Sequence, residues 1–195
     1  MPRESSPATS WLRRQHDSRC FCVFLMMEVG SRRLVLYNLT AHPTADWTLQ
    51  QFREAIPSDH SYQFLIHDRD SIFARELDQQ HKSDFKLKVL RTPERAPTAN
   101  AYCERLAGTV RRECLDFVIP LNERHLRMTL RSWATHYNKG RPHSSLGPGV
   151  PEKSSDSSLA GPRNHRHRLP SDCEIRAKDI LGGLHHEYRP EQRVA

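Results

Sequence analysis

Eight consecutive apolar residues at positions 20–27 constrain the fold of this chain more than any other feature of its sequence. A run of this length, with aromatic and β-branched side chains, favours a β-strand that is buried on both faces. Gly30 and Ser31 then supply a turn into a second predicted strand at 34–39. The two strands are therefore expected to form an antiparallel hairpin.

Further elements follow from apolar periodicity and from capping residues. Strands are predicted at 62–67 and 87–90, and helices at 45–56, 71–80, 99–117 and 123–137. Thr44 and Asn122 are the expected N-caps of the first and last of these helices. The apolar stripe predicted for the helix at 99–117 consists of Cys103, Leu106, Val110 and Phe117. This order of elements indicates an α/β fold whose first strands are antiparallel.

The length of 195 residues suits one domain with extensions. We assign 1–19 as irregular, 20–151 as the core, and 152–195 as a linker followed by an irregular extension. Within that extension, Gly182 and Gly183 indicate a tight turn.

The net charge of +7 and the isoelectric point of about 9.4 favour a polyanionic partner, most commonly nucleic acid. No stretch reaches eighteen apolar residues and the N-terminus lacks the apolar core of a signal peptide, so we expect a cytoplasmic protein without a membrane span. Five cysteines without a Cys-x-x-Cys pair predict neither a disulfide framework nor a zinc site.

Two acids, Asp68 and Glu104, occupy places from which carboxylates can hold a divalent metal ion. Asp68 follows the predicted strand at 62–67, and Glu104 lies near the start of the helix at 99–117. Carboxylates delivered by a strand end and a helix suit metal-assisted phosphoryl transfer. A turn role for Asp68 and a surface role for Glu104 are the simpler alternatives.

Three segments carry a resemblance to a known family. Residues 67–73, His-Asp-Arg-Asp-Ser-x-Phe, resemble the second-aspartate motif of integrase-type transposases, and residues 100–105, Asn-Ala-x-x-Glu-Arg, resemble their glutamate motif. Residues 137–147 resemble the segment that closes their catalytic core. The family is the integrase core of bacterial insertion sequences, related to retroviral integrases, and the resemblance covers about 20–151. Residues 181–188 resemble an extension found in one branch of it.

The resemblance implies a ribonuclease-H-like mixed sheet flanked by helices. It also implies DNA cleavage and strand transfer with two Mg²⁺ or Mn²⁺ ions held by three carboxylates. Asp68 and Glu104 match the second and third carboxylates. Asp70 is the competing choice for the second, although capping of the following helix is its plainer role. The implied partners are DNA and either a second copy of the chain or a complementing transposase chain.

The first carboxylate of the family is expected on a strand before residue 20. The family's usual span places it near residues 5–10, which contain no acid. Asp17 is too close to residue 20 for a strand and a turn to lie between them. Glu4 lies in a segment whose residues do not favour a strand. We therefore expect that the first strand is missing and that the strand at 20–27 has an exposed edge. A core of this kind is expected to be truncated and catalytically impaired.

Basic and amide side chains near the matched motifs are candidate DNA contacts, because arginine binds phosphate through paired hydrogen bonds. The candidates are Arg95, Asn100, Arg105, Arg111, Arg112, Arg127 and Arg131. A solvated helix surface is the alternative for Arg127 and Arg131. Three hypotheses stand: a metal-dependent transposase core, a non-catalytic DNA-binding or oligomerising remnant of one, and an interaction protein unrelated to DNA.

Overall fold

The computed structural model describes residues 6–16, 19–67, 84–91, 101–147, 149–152, 169 and 171–193. The strands in these ranges are β1 Pro7–His16, β2 Arg19–Glu28, β3 Leu34–Thr40, β4 Phe64–His67, β5 Lys88–Arg91, β6 Cys173–Ile180 and β7 His185–Gln192. The helices are α1 Ala45–Ala55, α2 Ala101–Glu113 and α3 Glu123–Lys139, with a short 3-10 helix at Leu115–Phe117. The predicted helix at 71–80 and most of the predicted linker lie outside the described ranges.

Five strands form one mixed sheet in the order β3-β2-β1-β4-β5. β1, β2 and β3 pair antiparallel, whereas β4 runs parallel to β1 and β5 runs parallel to β4. The predicted α/β class with an antiparallel start is therefore confirmed. No helix in the described part of the chain is long and apolar enough to cross a membrane.

Strand β1 corrects the expectation that 1–19 is irregular and that the first strand is missing. It pairs with β2 along its whole length, from Pro7 opposite Glu28 to His16 opposite Arg19. On its other side it pairs with β4, where Ala8 lies beside Ile66. The edge of β2 that the sequence left exposed is thus covered by β1.

Small and polar side chains explain why β1 is hard to recognise in the sequence. Ala8, Thr9 and Ser10 are all buried, in the middle of the sheet. Pro7 stands at the first position of the strand, where proline is tolerated. The two neighbouring strands, rather than intrinsic β-propensity, determine the extended conformation of these residues.

Successive side chains of β2 enter two separate cores. Those of the odd-numbered residues from Phe21 to Met27 pack with α2 and α3, whereas Phe24 and Met26 pack with α1 on the other face of the sheet. This alternation is the geometry of an extended strand whose side chains point to opposite faces in turn. The predicted strand buried on both faces is confirmed.

Both predicted N-caps are also confirmed. Thr44 Oγ1 accepts a hydrogen bond from the backbone N–H of Trp47 at 3.2 Å, and Asn122 Oδ1 accepts one from the backbone N–H of His125 at 2.8 Å. Helix α3, which follows Asn122, buries the apolar side chains that recur at helical spacing. These are Leu126, Leu130, Trp133 and Tyr137.

The helix predicted at 99–117 ends earlier than expected. α2 stops at Glu113, Cys114 has φ −144° and ψ −68°, and the short 3-10 helix follows. This change of direction buries Leu115 and leaves Phe117 66% exposed. The inclusion of Phe117 in the apolar stripe is therefore wrong.

The range predicted to be an irregular C-terminal extension contains the β6–β7 hairpin, which corrects that expectation for 173–192. Leu181, Gly182 and Gly183 have φ values of 54°, 67° and 93°, so the predicted tight turn is confirmed. Glycine reaches this region of backbone space without a steric penalty. Most side chains of the hairpin are polar and exposed, so its strands lack the apolar alternation that makes a strand recognisable.

Candidate functional site

The end of β4 is where the sequence places its first candidate carboxylate. β4 ends at His67, whose side chain is 1% exposed, and Asp68 follows it in the chain. Asp68 and its competitor Asp70 lie outside the described residues. Because β1 and β4 are parallel with Ala8 beside Ile66, the end of β4 lies level with residues 9–10 of β1.

The two β1 residues at this level face opposite sides of the sheet. Thr9 shares a face with Trp11, which packs on the α1 core. Ser10 shares a face with Leu12, which packs on the core formed with α2 and α3. Ser10 is therefore the β1 residue at this level that is directed towards the helix of Glu104.

No acidic residue occurs on β1 between Pro7 and His16. Glu4 and Asp17, the two alternatives that the sequence offers, lie outside the described residues. His16, which precedes Asp17, is seven residues beyond Thr9, and at about 3.3 Å per residue this corresponds to roughly 23 Å along the strand. The described end of β1 is thus remote from the end of β4.

Glu104 lies in the first turn of α2 with its side chain exposed. α2 packs against β1, so this turn belongs to the same face of the sheet as Ser10. Arg111, seven residues later, is also exposed, and this spacing places the two side chains on one polar face of the helix. Since Asp68, Arg95 and Asn100 lie outside the described ranges, the predicted pairing of Glu104 with Asp68 stays a prediction.

The remaining candidate DNA contacts differ in their surroundings. Arg105 and Arg112 are exposed on α2, and Arg131 is exposed on α3. Arg127, by contrast, is engaged in contacts within the chain, because its guanidinium binds the Glu123 carboxylate at 2.8 Å and the Leu39 carbonyl oxygen at 2.8 Å. Arg127 thereby joins α3 to β3, which is a structural role.

Residues 137–147, which resemble the last segment of the family's catalytic core, hold the C-terminal end of α3 against the sheet. The Asn138 side chain accepts a hydrogen bond from the backbone N–H of Leu34 and donates one to its carbonyl oxygen, both at 2.9 Å. The Tyr137 hydroxyl lies 3.7 Å from the sulfur of Met27 in β2. These contacts fix the C-terminal end of α3 beside β2 and β3.

The loop after α3 is fixed in turn to α2. Arg141 forms a two-pronged ion pair with Glu113, in which Nη2 lies 2.7 Å from Oε1 and Nε lies 2.8 Å from Oε2. His143 packs edge-on against the Tyr137 ring, with 4.7 Å between ring centroids. Burial lowers the pKa of His143 and thus favours its neutral form.

A cavity of about 130 Å³ opens where α2, the end of α3 and the turn between β2 and β3 meet. Its walls carry three arginines and five hydroxyl groups, and no acidic residue is among the described residues that line it. The residues with these groups are Arg32, Arg105 and Arg141, with Tyr102, Thr109, Tyr137, Ser144 and Ser145. Sequence reasoning selected Arg105 but missed Arg32 and Arg141. The position of Arg141 inside the closing motif was the available signal for it.

The described side chains do not fit a site for two metal ions. Such a site needs several carboxylates around the ions, and no group of three or more His, Cys, Asp or Glu side chains within the described ranges could hold a metal. At the end of β4, β1 offers hydroxyl groups instead, and Thr9 Oγ1 is buried without a hydrogen-bond partner in the described part of the chain. A neutral hydroxyl does not supply the negative charge that bridges two divalent ions.

A sheet of three antiparallel strands followed by two parallel ones, with helices on both faces, defines a ribonuclease-H-like core, here followed by a C-terminal hairpin. Residues 86–151 match the family of the integrase core domain. Residues 86–151 thus belong to an integrase core domain, and the chain is similar to proteins of bacterial insertion elements. The family resemblance and the ribonuclease-H-like fold predicted from the sequence are confirmed.

Two insertion-element proteins illustrate this relationship. The insertion element IS407 uncharacterized 31.7 kDa protein of Burkholderia multivorans is 35% identical over 109 residues, which cover 55% of this chain and 35% of that protein. The insertion element IS476 uncharacterized 39.2 kDa protein of Xanthomonas euvesicatoria is 44% identical over 52 residues, or 27% of this chain and 15% of that protein. The matched parts cover well under half of either relative.

Solved structures share the fold at low sequence identity. The catalytic core domain of HTLV-2 integrase, solved in complex with magnesium, has a TM-score of 0.59 at 11% identity and covers 76% of this chain and 93% of its own. The catalytic domain of Mos1 mariner transposase has a TM-score of 0.56 at 11% identity, over 68% of this chain and 70% of its own. These cores have the architecture found here.

Proposed function

We propose that this integrase core binds DNA and does not cleave it without a carboxylate supplied by another chain. One observation carries the proposal: β1 occupies the centre of the sheet, yet it has no acidic residue where it passes the end of β4. The expected impairment therefore comes from the residues of the first strand and not from the loss of that strand.

Ser10 marks the place that a first carboxylate would occupy. It lies level with the end of β4 and on the face of the sheet against which α2 packs. Glu104 lies in the first turn of that helix. A carboxylate at position 10 would therefore be directed towards the region between the end of β4 and Glu104.

Asp68 and Glu104 are the proposed ligands of Mg²⁺ or Mn²⁺ in this chain. The magnesium complex of the HTLV-2 integrase core supports this choice of ion. Two carboxylates give fewer charged ligands than the three that the two-ion mechanism uses, so we expect weaker metal binding than in a complete site. A complementing transposase chain is the proposed source of the missing charge.

Nicking of supercoiled plasmid DNA in Mn²⁺ tests the proposal without knowledge of the element ends. We expect wild type and Asp68→Asn to give the same background, and Ser10→Asp to raise nicking above it. Thr9→Asp is the matched control, because position 9 faces α1 on the other side of the sheet. Circular dichroism establishes that each variant folds.

The nicking assay and a separate DNA-binding assay test the two parts of the proposal. Robust nicking by wild type that disappears in Asp68→Asn would overturn the expected impairment. A failure of wild type to bind duplex DNA even at low salt would overturn the DNA-binding part, because a basic surface binds the phosphate backbone most tightly there.

A further inference from the structure

The cavity between α2, α3 and the β2–β3 turn combines positive charge with hydroxyl donors. Arg32 and Arg105 have no carboxylate partner among the described residues, and Arg141 is paired with Glu113. Within the described part of the chain, the charges of Arg32 and Arg105 are therefore available to a ligand. Tyr102 and Ser144 add hydroxyl groups to the same wall.

Arg32 is held at this cavity by its backbone and by an aromatic ring. Its φ of 65° lies in the left-handed region and places it in the turn that connects β2 to β3. Its guanidinium carbon stands 3.9 Å from the centroid of the Tyr102 ring, a cation–π contact. The hydrogen bond and charge of Arg32 lower the pKa of Tyr102, which is the response expected of a hydroxyl in a positive potential.

We propose that this cavity binds one phosphate group, supplied by the DNA backbone, through Arg32 and Arg105. By the same measure one water molecule needs roughly 10–15 Å³, so a cavity of about 130 Å³ has room for a phosphate group. Tyr102 and Arg105 lie in the same helical turn as Glu104. The assignment of DNA as the source rests on the proposed function, whereas the phosphate site does not.

The DNA arm of the test measures how the affinity for short duplex DNA changes with salt concentration. Each arginine–phosphate contact that is lost should reduce the slope of log affinity against log salt by about one. We expect this reduction in Arg32→Asn, where asparagine tolerates the left-handed backbone, and in Arg105→Gln. Arg53→Gln, on α1 across the sheet, should keep the wild-type slope.

The second arm titrates the full chain with inorganic phosphate in a calorimeter. We expect saturable binding by wild type and Arg53→Gln, with loss in Arg32→Asn and Arg105→Gln. If wild type binds inorganic phosphate but the slope of log DNA affinity against log salt is the same in wild type and both variants, the cavity is a phosphate site and DNA is not the source of its phosphate. Unchanged slopes together with no phosphate binding would overturn the proposal. If wild type binds no DNA, the proposed function fails and the phosphate arm alone decides the site.

Discussion

Arg141 and Glu113 join the loop after α3 to the last residue of α2 through two parallel hydrogen bonds of 2.7 and 2.8 Å. The C-terminal hairpin meets the same place, because His185 Nε2 donates to the Glu113 carbonyl oxygen at 2.6 Å. Glu113 therefore connects three parts of the chain that are far apart in sequence. Arg141 of this pair also lines the arginine-lined cavity.

We expect Arg141→Lys to lower the free energy of unfolding by about 1–2 kcal/mol, because lysine cannot form the two-pronged pair and leaves a half-buried carboxylate with one partner at most. Urea denaturation measures this change. Arg53→Lys is the matched control, since Arg53 forms an exposed pair with Asp84 and its replacement should cost less than about 0.5 kcal/mol. Equal losses of stability in the two variants would contradict a stabilising role for the two-pronged Arg141–Glu113 pair.

The stability of the protein should decrease below about pH 6.5 in part because of His143. Burial lowers the pKa of His143 from its ordinary value of 6.5, so the unfolded chain binds this proton at a higher pH than the folded chain does. Between the two pKa values, acidification therefore favours unfolding. Urea titrations at a series of pH values should show the stability advantage of wild type over His143→Gln shrinking as the pH falls. A constant difference would rule out this contribution.

Sequence patterns predicted the elements that carry their own apolar signal and missed those that depend on partners. The run at 20–27 predicts β2 because its side chains fill two cores at once. β1 has no such signal, since Ala8, Thr9 and Ser10 fit between β2 and β4 because they are small. The break after Glu113 that exposes Phe117 is likewise set by packing and not by periodicity.

The candidate site also contains residues that the sequence predicts and residues that only tertiary packing brings together. Asp68 and Glu104 could be selected because short motifs surround them in the sequence. The arginine-lined cavity could not, because Arg32, Arg105 and Arg141 meet only after a turn, a helix and a loop pack together. The contact of Asn138 with Leu34, 104 residues apart, fixes part of that packing and has no local signature.

Gly140→Ala should loosen the C-terminal hairpin without disturbing α3. A Cβ at position 140 would clash with the carboxylate of Glu187, which accepts from His136 Nδ1 at 2.8 Å, while the backbone of Gly140, at φ −114°, is open to alanine. We expect faster hydrogen exchange in 173–192 with little change in 123–139. Gly30→Ala is the control, because nothing lies within 4 Å of a Cβ there. Unchanged protection of the hairpin would show that Glu187 does not hold it in place.

Thr9→Val should stabilise the protein by about 1 kcal/mol, because it removes a buried hydroxyl that has no hydrogen-bond partner in the described part of the chain and keeps the β-branched shape. Thr48→Val is the matched control with the opposite sign, since the equally buried Thr48 Oγ1 donates to the Thr44 carbonyl oxygen at 2.8 Å. Urea denaturation of both variants measures the two changes. If residues 7–16 were irregular and solvated, Thr9→Val would leave stability unchanged, so the sign of this single substitution also tests the placement of β1 in the centre of the sheet.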